Sequence, residues 1–175
     1  MKKKLLFILL LPVFILLLTG CEEKDNRKTI TLSDSIYGYE TYFKYDAKEN
    51  FSEVKKIEGG ASQEIEFKNE DKDVSFQMYY TKMRKTSYER TEEARSKQKY
   101  YKKYKFGKYE AYAYGEYADK LYLNIVLGVD STENVKILFV SIDRLDTNDN
   151  VVVANVVDKD LKDFFNSIEV MEIDQ

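Results

Sequence analysis

The sequence predicts an α+β fold: an antiparallel β-sheet flanked by a long central helix and a short C-terminal helix, all following an N-terminal signal segment. Three observations predict it. Runs in which polar and apolar residues alternate recur from residue 29 onward. One interior stretch, residues 86–104, instead carries helix-start chemistry and a gradient of charge. Two later runs are apolar on both faces, as central strands covered on both sides are.

The elements follow in chain order. Lys2, Lys3 and Lys4 precede an uncharged apolar run over residues 5–18, broken only by Pro12. A membrane-spanning helix needs about 20 residues, so this run is short for a permanent span and suits a secretory signal. It ends in Leu18-Thr19-Gly20-Cys21, and Cys21 is the chain's single cysteine. These residues resemble the lipobox of bacterial lipoprotein precursors. The resemblance covers residues 1–21 and implies diacylglycerol on the Cys21 thiol with cleavage just before it. Two acyl chains hold a protein firmly where one holds it marginally. The expected organisation is therefore a signal peptide (1–20), a charged tether (21–28) and one extracytoplasmic α+β domain (29–175), lipid-anchored on the outer face of the cell membrane. At about 3.3 Å per residue the tether reaches only about 25 Å.

Residues 29–33 read as a first strand. Residues 37–45 alternate, with Tyr37, Tyr39, Thr41, Phe43 and Tyr45 on one face. Gly59-Gly60 marks a turn, and residues 62–68 set Ile65 and Phe67 against Glu64 and Glu66. A hairpin turn at 69–72 leads into a strand over 74–83, with Val74, Phe76, Met78 and Tyr80 inward. Thr86-Ser87-Tyr88-Glu89 then matches a capping box, in which threonine and glutamate side chains satisfy the free amides of a helix start. Glu89, Glu92 and Glu93 early in that stretch and Lys99, Lys102 and Lys103 late in it complement a helix dipole, and Gly107 follows. Strands are predicted over 108–117, 120–128 and 135–145, the last two joined by a hairpin at 130–134 and central in the sheet. Residues 151–157 fit strand or helix. Residues 158–166 form a short helix with Leu161, Phe164 and Phe165 inward, and 167–173 a last strand.

The opening "YETYFKYD", the passage from helix into "KFGKYEAYAY" and the closing "LKDFFNSIEV" together resemble the PsbP-like fold over roughly residues 29–172. That resemblance implies an antiparallel sheet between helices and a binding or assembly role. The chain as a whole resembles small lipoproteins of Firmicutes type. Its preference for lysine, tyrosine, asparagine and isoleucine over alanine and arginine suits a low-GC, Gram-positive source.

Composition narrows the chemistry. The chain has no histidine, which removes Ser-His-Asp and Cys-His catalysis and histidine metal ligands together. With Cys21 lipidated, no intramolecular disulfide forms. Beyond residue 20, 25 Lys and Arg stand against 31 Asp and Glu, a charge of −6. Residues 82–108 oppose that trend, with eleven Lys and Arg against three Glu. As a basic helix interleaved with tyrosines, they would present Arg95, Lys99, Lys102, Lys103 and Lys105 to an anionic surface, each worth about 1 kcal/mol there.

All fifteen tyrosines lie between Tyr37 and Tyr122. Tyrosine joins a broad stiff contact area to a polar tip. A ligand face for a peptide or glycan is expected at Tyr79, Tyr112, Tyr114 and Tyr122, against the plainer reading that tyrosine simply suits half-buried strands. Asp146-Thr147-Asn148-Asp149-Asn150 begins like a calcium loop, but Val151 and Val157 replace the required glycine and glutamate, so it reads as a turn. Glu64 and Glu66 share a strand face without an evident catalytic partner. No cofactor, metal or nucleic-acid partner is expected. The leading expectation is a non-enzymatic lipoprotein that binds an envelope protein, peptide or glycan. Its rivals are an envelope-associated assembly factor docking through the basic helix, and a histidine-free hydrolase.

Overall fold

The computed structural model describes residues 27–34, 39–46, 51–57, 63–69, 71, 74–115, 120–144 and 157–171. Cys21 and the lipobox, Tyr37, the Gly59-Gly60 turn, the calcium-like residues 146–150 and residues 151–156 lie outside them.

The described chain is mostly antiparallel sheet with two helices, an α+β arrangement. Strands β1 (Lys28–Asp34), β2 (Tyr39–Tyr45) and β10 (Glu169–Met171) form a three-stranded sheet in the order β1-β2-β10. The larger sheet comprises β3 (Ser52–Ile57), β4 (Glu64–Asn69), β5 (Val74–Arg84), β6 (Tyr100–Phe106), β7 (Tyr109–Gly115), β8 (Lys120–Val129) and β9 (Asn134–Arg144). Its order is β3-β4-β5-β9-β8-β7-β6. The meander from β6 to β9 thus folds back so that β9 pairs with β5 along its whole length, from Val74↔Arg144 to Arg84↔Asn134. The strands read as apolar on both faces, β8 and β9, lie inside the sheet as their composition requires.

Each face of the large sheet has its own cover. One face presents Ile65, Phe67, Phe76, Met78, Leu123, Leu138 and Val140, all buried. The small sheet and helix α2 (Lys159–Ser167) close over it. Phe164 of α2 sits at the centre, its ring 4.9 Å from Phe67, 5.0 Å from Phe76, 5.4 Å from Tyr45 and 5.8 Å from Phe51. Asp158 caps α2 by accepting from the Leu161 amide at 3.1 Å. The Gly107 amide donates to Asn166 Oδ1 at 2.9 Å and ties the helix end to the β6–β7 turn. Gly107 has φ +54°, a left-handed conformation natural to glycine.

The opposite, outer face carries helix α1 (Lys85–Arg95) at one end. Tyr88 is its buried anchor, packed with Val135 and Ile137 and, around them, Met83 and Val126.

Helix α1 corrects the long central helix expected over 86–104. It ends at Arg95, through a tightened turn in which the Lys97 and Gln98 amides reach back only three residues. Residues 100–106 are strand β6 instead. In YYKKYKF, Tyr100, Tyr104 and Phe106 pack on the core side while Tyr101, Lys103 and Lys105 fall on the outer side, a period of two. Pairing of all seven residues with β7 outweighs the helix-like order of charges. The capping box is corrected with it. Arg84 occupies the cap position without a side-chain bond, Thr86 is exposed within the first turn, and the Lys85 amide donates to the Glu133 carbonyl at 2.9 Å. Gly107 serves a hairpin rather than a helix end. Strand β3 was not foreseen from its sequence, KKI at its end giving weak alternation, and it pairs with β4 across a bulge between Glu53 and Lys55.

Candidate functional site

The register of β5, β9, β8, β7 and β6 decides what stands on the outer face. One row of paired residues runs Gln77, Ser141, Tyr122, Tyr114, Tyr101; the next runs Tyr79, Phe139, Asn124, Tyr112, Lys103. Tyr79, Tyr112, Tyr114 and Tyr122 therefore share one face. Their rings form a path across four strands: Tyr79 to Phe139 at 4.7 Å, Phe139 to Tyr122 at 5.7 Å, and Tyr122 to Tyr114 at 5.7 Å. Tyr114 is buried and the other three rings of the path are half-buried. Arg95, at the end of α1, lays its guanidinium 4.3 Å above the Tyr114 ring. Burial first, with Tyr79 and Glu92 nearby, raises the Tyr114 phenol to about 12 despite Arg95. The Tyr79 phenol is raised by burial and by Glu64, its cross-strand neighbour.

Beside this path α1 and strands β6 to β9 enclose an open cleft of about 460 Å³. Tyr88, Tyr101 and Tyr112 line it, together with Val126, Val129 and Val135. Four carboxylates, Glu89, Glu92, Glu93 and Glu110, two ammoniums, Lys85 and Lys103, and Ser96 complete the lining. The Tyr101 hydroxyl donates to Glu92 Oε1 at 2.7 Å, and the Tyr112 hydroxyl to Glu110 Oε2 at 3.0 Å. The Glu93 carboxyl is bonded by Lys97 at 2.9 Å, which holds it below the usual carboxylate range.

The five cations expected on a basic helix do not share a face. Arg95 stacks on Tyr114, and Lys99 stands in the turn, its ammonium 5.3 Å from the Tyr100 ring. Lys102 lies on the core side of β6, 5.3 Å from the Tyr104 ring. Lys103, 5.5 Å from the Tyr112 ring, and Lys105 project on the outer side. Strand β6 is an edge of the large sheet, and edge lysines discourage pairing with a second sheet. Glu64 and Glu66 stand opposite Tyr79 and Gln77 on the outer face. Among the described residues no three acidic, cysteine or histidine side chains are grouped to hold a metal ion. Nor, among them, is any helix long and apolar enough to cross a membrane.

Sequence reasoning missed Tyr88, Tyr101, Asn124 and Phe139 as parts of this face. The signal was in the register, which single-strand periodicity does not contain. Compared with family models, curated proteins and solved structures, the chain matches none.

Proposed function

We propose that this chain is a lipid-anchored, extracytoplasmic binding domain without enzymatic activity, and that it takes its ligand or partner on the outer face of the large sheet. The observation that carries the reading is the ring path Tyr79–Phe139–Tyr122–Tyr114 with Arg95 above its end. Half-buried aromatic surface with polar tips is what recognition of peptides and glycans uses. A PsbP-like domain would suit such a role. The Leu18-Thr19-Gly20-Cys21 lipobox supports anchoring through Cys21 to the bilayer, with the tether keeping the domain close to the membrane. The rival reading, docking through a basic helix, loses its support because the cations are dispersed over α1, a turn and both sides of β6.

The test compares the full chain purified from native membranes with a Y79S/Y122S double variant. Wild type is expected to retain a species identifiable by mass spectrometry that the variant loses at equal yield. Equal retention by both proteins overturns the outer-face reading. Substitution of Cys21 by alanine is expected to leave an uncleaved precursor or release the domain to the medium, and normal maturation of that variant overturns the anchor.

A further inference from the structure

Among the described strands of the large sheet, β3 and β6 have a neighbour on one side only. An edge strand turns the N–H and C=O groups of alternate residues away from its neighbour, where another extended chain can pair with them. The two edges differ. At β3 a bulge between Glu53 and Lys55 breaks the register, and both signs of charge are present. At β6 all seven residues pair with β7 in unbroken register, from Tyr100↔Gly115 to Phe106↔Tyr109. Residues 100–115, which cover β6, β7 and their turn, hold four lysines against one carboxylate, Glu110. Lys102, Lys103 and Lys105 are exposed and, among the described residues, enter no salt bridge. Glu110, opposite Lys105, already accepts from the Tyr112 hydroxyl at 3.0 Å. This positive edge stands on a chain in which Asp and Glu outnumber Lys and Arg, 31 to 28.

Charge decides what can use the β6 edge. A second copy of this strand would set lysine against lysine across the new ladder, and like charges directly opposite are unfavourable. A flat anionic surface meets one side of the sheet at a time, yet Lys102 lies on the core side and Lys103 and Lys105 on the outer side. An added strand alternates its own side chains to both sides and reaches all three. We infer that β6 receives an acidic, extended peptide segment of a partner protein, which joins the large sheet as an antiparallel strand beyond β6. The alternation of β6 sets the pattern that segment carries. Carboxylates belong opposite Lys105, Lys103 and Lys102. Tyr104 packs on the core side between them, and an apolar residue opposite it continues that cover. Taken from the residue facing Lys105, the segment therefore runs acidic, apolar, acidic, acidic. The lysines that repel a second copy select this partner. The edge is separate from the Tyr79–Phe139–Tyr122–Tyr114 path, and the inference does not rest on that path as a ligand face.

The probe is a fluorescein-labelled heptapeptide, Thr-Glu-Val-Glu-Glu-Thr-Val, titrated by anisotropy against the full chain in uncharged detergent micelles at low salt. Saturable binding is expected, and added salt should weaken it. The same peptide with lysine in place of glutamate should bind at least tenfold more weakly. Two further peptides keep the charge and carry N-methyl groups on one or the other set of alternate amides. At least one of them should bind tenfold more weakly, because the amides that face β6 can no longer donate. K103Q/K105Q is expected to weaken the unmodified peptide at least fivefold. K28Q/K56Q removes the same charge from exposed positions on β1 and β3 and should stay within twofold of wild type. Hydrogen exchange of the β6 amides should slow in the complex. No saturable binding, equal binding of the charge-reversed peptide, or undiminished binding by K103Q/K105Q overturns the inference. So does full binding of both N-methylated peptides, since the lysines would then attract anions without accepting a strand.

Discussion

Replacing Phe164 by alanine tests the packing on which the outer face depends. Phe164 is 0% exposed and its ring touches four aromatic rings contributed by β2, β4, β5 and the chain before β3. Truncation of a buried phenylalanine to alanine costs about 3–5 kcal/mol, and each aromatic pair adds about 0.5–1.5 kcal/mol beyond area. With neighbours from four segments the site has little freedom to collapse, so about 5 kcal/mol is expected, close to the whole stability of a marginal domain. Phe164→Leu keeps most of the volume and should cost about 1–2 kcal/mol. Val54→Ala, at a residue 54% exposed, should stay within about 0.5 kcal/mol. Urea unfolding of the full chain followed by circular dichroism reads all three. At a slope of about 2 kcal/mol per molar urea, F164A lowers the midpoint by about 2.5 M with the slope unchanged. A midpoint shift for F164A no larger than that of V54A would refute the reasoning, because the ring cluster would then not be holding α2 to the sheet.

The tyrosines predict an alkaline limit. Tyr45 (to about 12), Tyr79, Tyr88, Tyr101, Tyr104, Tyr112 and Tyr114 all have raised phenols, in each case chiefly through burial. A folded value above the unfolded one gives stability that is complete below about pH 10 and is lost as pH rises through the raised values. Tyrosinate absorbance should therefore lag that of the urea-unfolded chain, and coincident titration curves would contradict this. Asp130 predicts the acid limb: its carboxylate accepts from the Thr132 and Asn134 amides and the Thr132 hydroxyl, with Lys82 at 3.4 Å, which holds it well below the usual carboxylate range. Its contribution is present above the ordinary carboxylate value and is lost as pH falls through the depressed one, so D130N should melt earlier at neutral pH and converge with wild type in acid. Equal midpoints at neutral pH would count against that role. On edge strand β6, K103V/K105V should self-associate in sedimentation experiments as the charges leave the edge; a variant that stays monomeric at high concentration would mean the lysines do not guard it.

Where a strand repeats every two residues against one core, its sequence declares it: Val74, Phe76, Met78 and Tyr80 on β5, or Ile65 and Phe67 on β4, are buried as their alternation requires. The same holds for α2, whose Asp158 cap and Leu161, Phe164, Phe165 stripe are local features. Residues 100–106 misled because six of these seven residues are lysine or tyrosine and fit a period of either two or four, and only the pairing partner β7 selects one. The candidate face was legible in part. Tyr79, Tyr112, Tyr114 and Tyr122 alternate outward on three separate strands, but their meeting through Phe139 depends on β9 inserting between β5 and β8. Arg95 and Tyr88 reach the face only because the helix stops short and lies across it. Such pairings join residues sixty or so positions apart, beyond any local pattern.

The two faces of the large sheet divide the aromatic residues by type. Toward the small sheet and α2 the buried rings are mainly phenylalanine: Phe43, Phe51, Phe67, Phe76, Phe106, Phe164 and Phe165. On the outer face they are mainly tyrosine, with Phe139 the exception. If the outer rings served only to cover the sheet, phenylalanine would supply the same area without hydroxyls to satisfy. An unbonded hydroxyl does not by itself mark a site, as Tyr45 shows: its hydroxyl is also buried and without a bond, yet its ring packs among Phe43, Phe67 and Phe164 in the core. Tyr88 is the same case: its hydroxyl is a donor, Glu92 Oε2 an acceptor, and the two residues stand four apart on α1, so one side-chain adjustment joins them.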